Sequence, residues 1–91
     1  MEIRIEHEPG RFFARVAGAE AELVYVRRGD RLDVQHTFTP TAFRGHEVAA
    51  RLTDAVFAYA RAEGLRVVPT CSYTRRYLER HPELARLAVE A

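Results

Sequence analysis

The stretch TPTAFRGHEVAARL, Thr39 to Leu52, is where the hydrophobic period of the chain changes. Upstream of it Leu32, Val34, His36 and Phe38 alternate with Asp33, Gln35 and Thr37, the two-residue period of a half-buried strand. Downstream, Val48, Leu52, Val56 and Tyr59 recur at helical spacing, and Arg51, Asp54 and Arg61 fall on the other side. Residues Thr39 to Glu47 therefore read as a loop that brings backbone N–H groups to a helix N-terminus. Unpaired amides and the positive end of the helix dipole make such a terminus attractive to phosphate. Gly45 permits close backbone approach and Arg44 can neutralise anionic charge. A plain helix start after an Arg-Gly pair is the competing reading of the same residues.

Working outward, Ile3 and Ile5 alternate with Glu2, Arg4 and Glu6 as in a strand, and Glu8-Pro9-Gly10 supplies a turn. Arg11 to Val16 and Glu22 to Arg28 are further strands, and the latter joins Arg31 to Phe38 through the turn Arg28-Gly29-Asp30. That tight turn accounts fully for the Arg-Gly-Asp tripeptide, and no adhesion function is expected from it. Beyond the helix, Gly64 is a left-handed stop and Leu65 to Thr70 a short apolar strand. Tyr73 to Arg80 and Glu83 to Val89 are helical, broken at His81-Pro82 by the proline's missing amide and ring clash. A strand, a crossover helix and a second strand imply a parallel pair at the end of an antiparallel sheet. The expected architecture is a mixed α/β domain: four antiparallel strands, a helix, a parallel strand and a C-terminal helix.

The 91 residues fit one domain, 1–91, with 47% hydrophobic and 30% charged residues, as in a globular protein. A core this small leaves apolar surface to be completed by a ligand or a second copy, so a homodimer is compatible. A formal net charge of +1, with its 14 basic residues all Arg and dispersed, gives no clustered field for nucleic acid or an anionic membrane. The single cysteine, Cys71, makes no internal disulfide, and no apolar run resembles a signal peptide or a membrane span; the expected compartment is the reducing cytosol. His7, His36, His46 and His81 show no ligand spacing with each other or with Cys71, so no metal is expected.

Arg44-Gly45-His46-Glu47-Val48-Ala49 resembles the acetyl-CoA motif of the GCN5-related N-acetyltransferases (GNAT), in which Gln or Arg is followed by two residues, Gly, one residue, and Gly or Ala. The likeness extends to HTFTP (His36 to Pro40), to VVPTCSY (Val67 to Tyr73) and to RRYLERHPE (Arg75 to Glu83), and points to the short single-domain group of that family. Leu52 also occupies the expected helix position. The resemblance implies acetyl-CoA as cosubstrate, bound by Phe38, Thr39, Arg44, Gly45, His46, Glu47, Val48, Ala49 and Arg51, with an unidentified amine as acceptor. One departure stands out: Glu47 occupies the place of the pattern's central Gly, and a carboxylate there opposes a pyrophosphate.

The implied chemistry needs a polarised thioester carbonyl, a base for the amine and a proton for the departing thiolate. Backbone amides near Phe38 and Thr39 suit the first role. Cys71 suits a nucleophile that accepts the acetyl group and passes it on, with His36 within reach across the sheet. Tyr73 and Tyr77 suit the proton donor. Each has a plainer alternative: a small buried hydrophobe for Cys71, a hydrogen-bonded core residue for His36, and core packing for both tyrosines. The activity implied is N-acetyl transfer, by direct attack of the amine or through acetyl-Cys71. A non-catalytic acyl-CoA-binding or protein-interaction module on the same fold is the alternative.

Overall fold

The computed structural model describes residues 2–90. Five strands form one sheet in the order of the chain: β1 (Glu6–Glu8), β2 (Arg11–Val16), β3 (Ala19–Arg28), β4 (Arg31–Phe38) and β5 (Arg66–Pro69). The first four are joined by two-residue turns and pair antiparallel, while β5 returns parallel to β4 after helix α1 (Val48–Glu63). This is the mixed sheet the change of period predicts. Helix α2 (Ser72–Arg80) follows β5, and a 3-10 turn covers Pro82–Leu87.

Three boundaries differ from the sequence reading. The first strand is Glu6–Glu8 rather than the Ile3/Ile5 alternation, because the Pro9-Gly10 turn pairs Glu8 with Arg11 and so fixes which residues join the ladder. Ile3 is buried in the core even so, and Arg51 Nη2 donates to its carbonyl at 2.5 Å. The third strand starts at Ala19, since Ala17 and Gly18, both at positive φ (49° and 81°), close a tight hairpin onto Val16. The final segment is not an α-helix over Glu83–Val89: after the 3-10 turn Ala88 bridges Val67, and the Val89 amide donates to Val67 O at 2.9 Å.

One face of the sheet carries the core. Phe12, Ala14, Leu23, Tyr25, Leu32, Val34 and Val67 meet Val48, Leu52, Val56, Phe57 and Ala60 of α1 there. That face follows from strand alternation on one side and the helical stripe on the other. On the opposite face Phe13 is covered by the Arg11 and Arg15 guanidinium groups, 4.1 and 4.7 Å from its ring centre. Helix α1 ends at Gly64 in the left-handed conformation, with the Leu65 amide donating to Ala60 O at 2.8 Å.

Two breaks in regularity shape the end of β4. Tyr25 pairs with Val34 but Val24 pairs with His36, so Gln35 is an extra residue, a β-bulge. The β4–β5 ladder ends at Val34↔Pro69, apart from one further bond from the Cys71 amide to Val34 O at 2.8 Å. Past that point the two strands part, and among the described residues Gln35–Phe38 have no ladder partner on the β5 side.

Candidate active site

The parting of β4 and β5 opens a cleft of about 640 Å³. It is lined by Gln35, His36, Thr37 and Thr39 from one side and by Thr70, Cys71, Ser72, Tyr73, Arg75 and Arg76 from the other, with Ala49 of α1 at its floor. The sequence reading places His36 on the buried face with Leu32 and Val34. The bulge at Gln35 reverses the alternation, so Thr37 takes that face and His36 is exposed. His36 still lines the cleft, but the side chain that meets the cysteine is Thr37, whose Oγ1 lies 3.6 Å from Cys71 Sγ.

Cys71 is half-buried at the N-cap of α2, with extended backbone. Burial pushes its thiol up, but the Thr74 amide, the Thr37 hydroxyl, the Tyr73 amide and the Thr74 hydroxyl around the sulfur outweigh this, and the net direction is below the ordinary thiol value; of these only the Thr37 hydroxyl makes a formed hydrogen bond to it. The turn into α2 is itself braced. Arg75 Nη1 donates to Pro69 O (3.1 Å) and Thr70 O (2.6 Å), and Thr70 Oγ1 donates to Asp33 Oδ1 (2.6 Å). The other Asp33 oxygen accepts from Arg28 at 2.5 Å.

Hydrogen bonding from Thr70 holds the Asp33 carboxyl below the usual carboxylate range, against partial burial and with support from Arg28 and Gln35. A depressed folded-state value means the contribution is complete above the unfolded value of 3.8 and is lost as pH falls through the folded one. Acid titration should therefore unfold the wild-type protein with a steeper loss below that pH than Asp33→Asn shows, followed by circular dichroism. Parallel acid curves would remove this role.

The two tyrosines part company. Tyr77 is 6% exposed and packs between Phe57 and His81, with ring centres 6.1 and 4.3 Å away, so it belongs to the core. Tyr73 is half-buried on the cleft wall. Burial pushes the Tyr73 phenol up; the Asp54 and Glu47 carboxylates add to this, and Arg80 and Arg76 oppose it.

The loop before α1 is not featureless, since Thr41–Phe43 form a 3-10 turn that sinks Phe43 into the core at 1% exposure. Gly45 and Glu47 both adopt positive φ, 83° and 52°. A Cβ at Gly45 would stand in open space, so the glycine answers to backbone conformation rather than crowding. The amides of Gly45, Glu47, Val48, Ala49 and Ala50 have no backbone acceptor among the described residues, and no side chain among them caps the helix. Arg44, Gly45 and Glu47 are exposed, His46 is half-buried, and the Val48 side chain faces the core, which leaves only its amide outward. Phe38 is 52% exposed, and Thr39 is exposed at the cleft. Arg51 is directed instead to Ile3 O.

Thr37, Thr74 and Arg76 escaped the sequence reading. A bulge leaves no mark in one sequence, so nothing there exposes Thr37. Thr74 is recognisable only once Cys71 is known to cap α2. Arg76 was visible as half of an Arg-Arg pair, and among the described residues it makes no hydrogen bond or ion pair.

Comparisons with known proteins agree with the fold. A family model described as GCN5-related N-acetyl-transferase matches residues 11–87. The chain is 36% identical over 85 residues to Protein NATD1 of Mus musculus, across 88% of this chain and 77% of the relative. For Protein NATD1 of Danio rerio the identity is 34% with the same coverage. An NMR solution structure of a GCN5-like protein from Staphylococcus aureus superposes with a TM-score of 0.72 at 22% identity, covering 97% of this chain and 89% of the other. With its fold and its sequence both matching, the chain belongs to the GCN5-related N-acetyltransferase family.

Proposed function

We propose that the protein uses acetyl-CoA as substrate and acetylates an amine through an acetyl-Cys71 intermediate. The observation that carries this reading is Cys71 itself, half-buried on the cleft wall at a helix N-terminus with the Thr37 hydroxyl 3.6 Å from its sulfur. The residues present fit the substrate. Unpartnered amides of Gly45 and of Glu47 to Ala50, with Arg44 beside them and Arg76 on the cleft wall, supply donors and positive charge for a pyrophosphate. The cleft beside Ala49 has room for an extended thioester arm, and the unpaired end of β4 near Phe38 and Thr39 offers amides to its carbonyl oxygen.

The Cys71 thiolate attacks the thioester carbonyl carbon, forming a new C–S bond as the bond to the CoA sulfur breaks. The Tyr73 phenol, kept protonated by its surroundings, gives its proton to the departing thiolate and regains one from water. An amine then attacks acetyl-Cys71, the C–S bond breaks, and Cys71 leaves as thiolate. The amine's proton passes to His36, the one imidazole lining the cleft among the described residues.

Intact-mass measurement after incubation with acetyl-CoA tests this. A single acetyl adduct is expected that hydroxylamine removes as a thioester, and Cys71→Ala should lose it entirely while still binding acetyl-CoA in calorimetry. Binding without an adduct would reduce the function to direct transfer or to acyl-CoA binding alone. Absence of both heat and adduct would sink the acetyl-CoA reading.

A further inference from the structure

The two wholly buried threonines of the described chain, each 0% exposed, treat their hydroxyls differently. Thr53 Oγ1 donates to Ala49 O one turn back at 2.8 Å, the usual way a helical threonine satisfies itself. Thr74 Oγ1 makes no hydrogen bond among the described residues. Its corresponding carbonyl, that of Thr70, is occupied by Arg75 Nη1 at 2.6 Å. A buried hydroxyl without a partner is a cost to the fold, so the site that leaves it so has another use for its proton. Cys71, whose thiol the Thr74 hydroxyl helps to hold below its ordinary value, lies three residues back at the N-cap of the same helix. From the opposite wall the Thr37 hydroxyl reaches that sulfur at 3.6 Å, brought onto this face by the bulge at Gln35.

We infer that Thr37 and Thr74 are positioning residues for the nucleophile, donating hydrogen bonds from two sides that hold Cys71 as a thiolate aimed into the cleft. This rests on the reading of Cys71 as the acetyl acceptor, and extends it to the residues that make the sulfur reactive. A thiol could donate to the Thr37 oxygen, but a thiolate can only accept, so on ionisation both hydroxyls turn their protons to sulfur and the thiol proton leaves to solvent. Other groups face the same space. From β4 come His36 and, through Thr70, Asp33; from α2 come Tyr73, Arg76 and Arg75, the last held on the Pro69 and Thr70 carbonyls. From α1 and its N-cap, the Asp54 and Glu47 charges act on Tyr73. The arginines and His36 remain in place when a threonine is changed, so the effect of each hydroxyl is separable from theirs.

The test is the pH profile of Cys71 alkylation by iodoacetamide in the full chain without acetyl-CoA, read by intact mass. Thr37→Val and Thr74→Val should each move the half-maximal pH up by about one, the worth of a hydrogen bond to a charged acceptor. Alkylation at neutral pH should slow by up to about tenfold. Thr37→Ser, which keeps the hydroxyl, should follow the wild type. Thr37 is half-buried on a strand, where valine is well accommodated, so Thr37→Val carries the test if Thr74→Val does not fold. An unmoved half-maximal pH in folded Thr37→Val overturns the inference even where the acetyl adduct still forms. A raised one supports it even where the adduct never forms, so its failure and that of the acetyl-Cys71 reading are told apart.

Discussion

Phe43→Ala should destabilise the protein by about 3–5 kcal/mol, the range for emptying a phenylalanine site in a closed core. The ring is 1% exposed and belongs to the cluster of Leu23, Val34, Val48 and Leu52, yet it hangs from the loop between β4 and α1. It is therefore the anchor that sets the height of Arg44 to Glu47 above the core. Small domains have total stabilities near 5–15 kcal/mol, so the loss is a large share of the whole and urea denaturation will read it directly. Phe43→Leu, which keeps most of the volume, should recover much of it. A loss below about 1.5 kcal/mol for the alanine variant would mean that the loop stands without this anchor.

The second large effect concerns Glu47. In Glu47→Gly two costs disappear together, because the residue combines a carboxylate beside the proposed pyrophosphate cradle with a left-handed backbone at φ 52°. The left-handed conformation costs an L-residue about 1–2 kcal/mol; glycine's greater unfolded freedom takes back about 0.5–1 kcal/mol, leaving a net gain of roughly 0.5–1 kcal/mol in stability. Loss of the charge should tighten acetyl-CoA by about 1–2 kcal/mol, roughly five- to thirtyfold in Kd. Glu47→Gln separates the two, since it neutralises the side chain and keeps the strain: it should gain affinity without a rise in Tm. Calorimetry giving one Kd for the wild type, Glu47→Gln and Glu47→Gly would show that the carboxylate points away from the ligand.

The sequence was most legible where a single period governed a whole element. Val48, Leu52 and Val56 announced α1, and the strand, helix, strand order announced the parallel β4–β5 pair, because both follow from burying one face. It was least legible where one residue breaks the count. The extra Gln35 turned His36 outward and Thr37 inward, and no pattern within β4 marks it. The Glu47 departure was visible as chemistry, but its backbone meaning was not: the family's glycine stands at a position this chain also holds at positive φ. Tyr73 and Tyr77 could not be separated by spacing alone, since residues four apart share a helix face, and only the packing of Phe57 and His81 around Tyr77 distinguishes them.

The margins of the sheet bear on how the protein behaves in a crowded solution. At one margin lies β1, only three residues long, carrying Glu6 and Glu8 and stopped by Pro9. At the other, Val67 of β5 is already bridged by Ala88 and bonded by the Val89 amide. Neither rim offers a long, flat row of free amides and carbonyls, so strands of neighbouring molecules have nowhere to add and growth of a continuous cross-molecular sheet is blocked at both ends. Among the described strands, the open backbone that remains comes in short pieces, namely the outer side of three-residue β1, Ala14 to Val16 of β2 beyond it, and the notch past Val34, each too short to template a polymer.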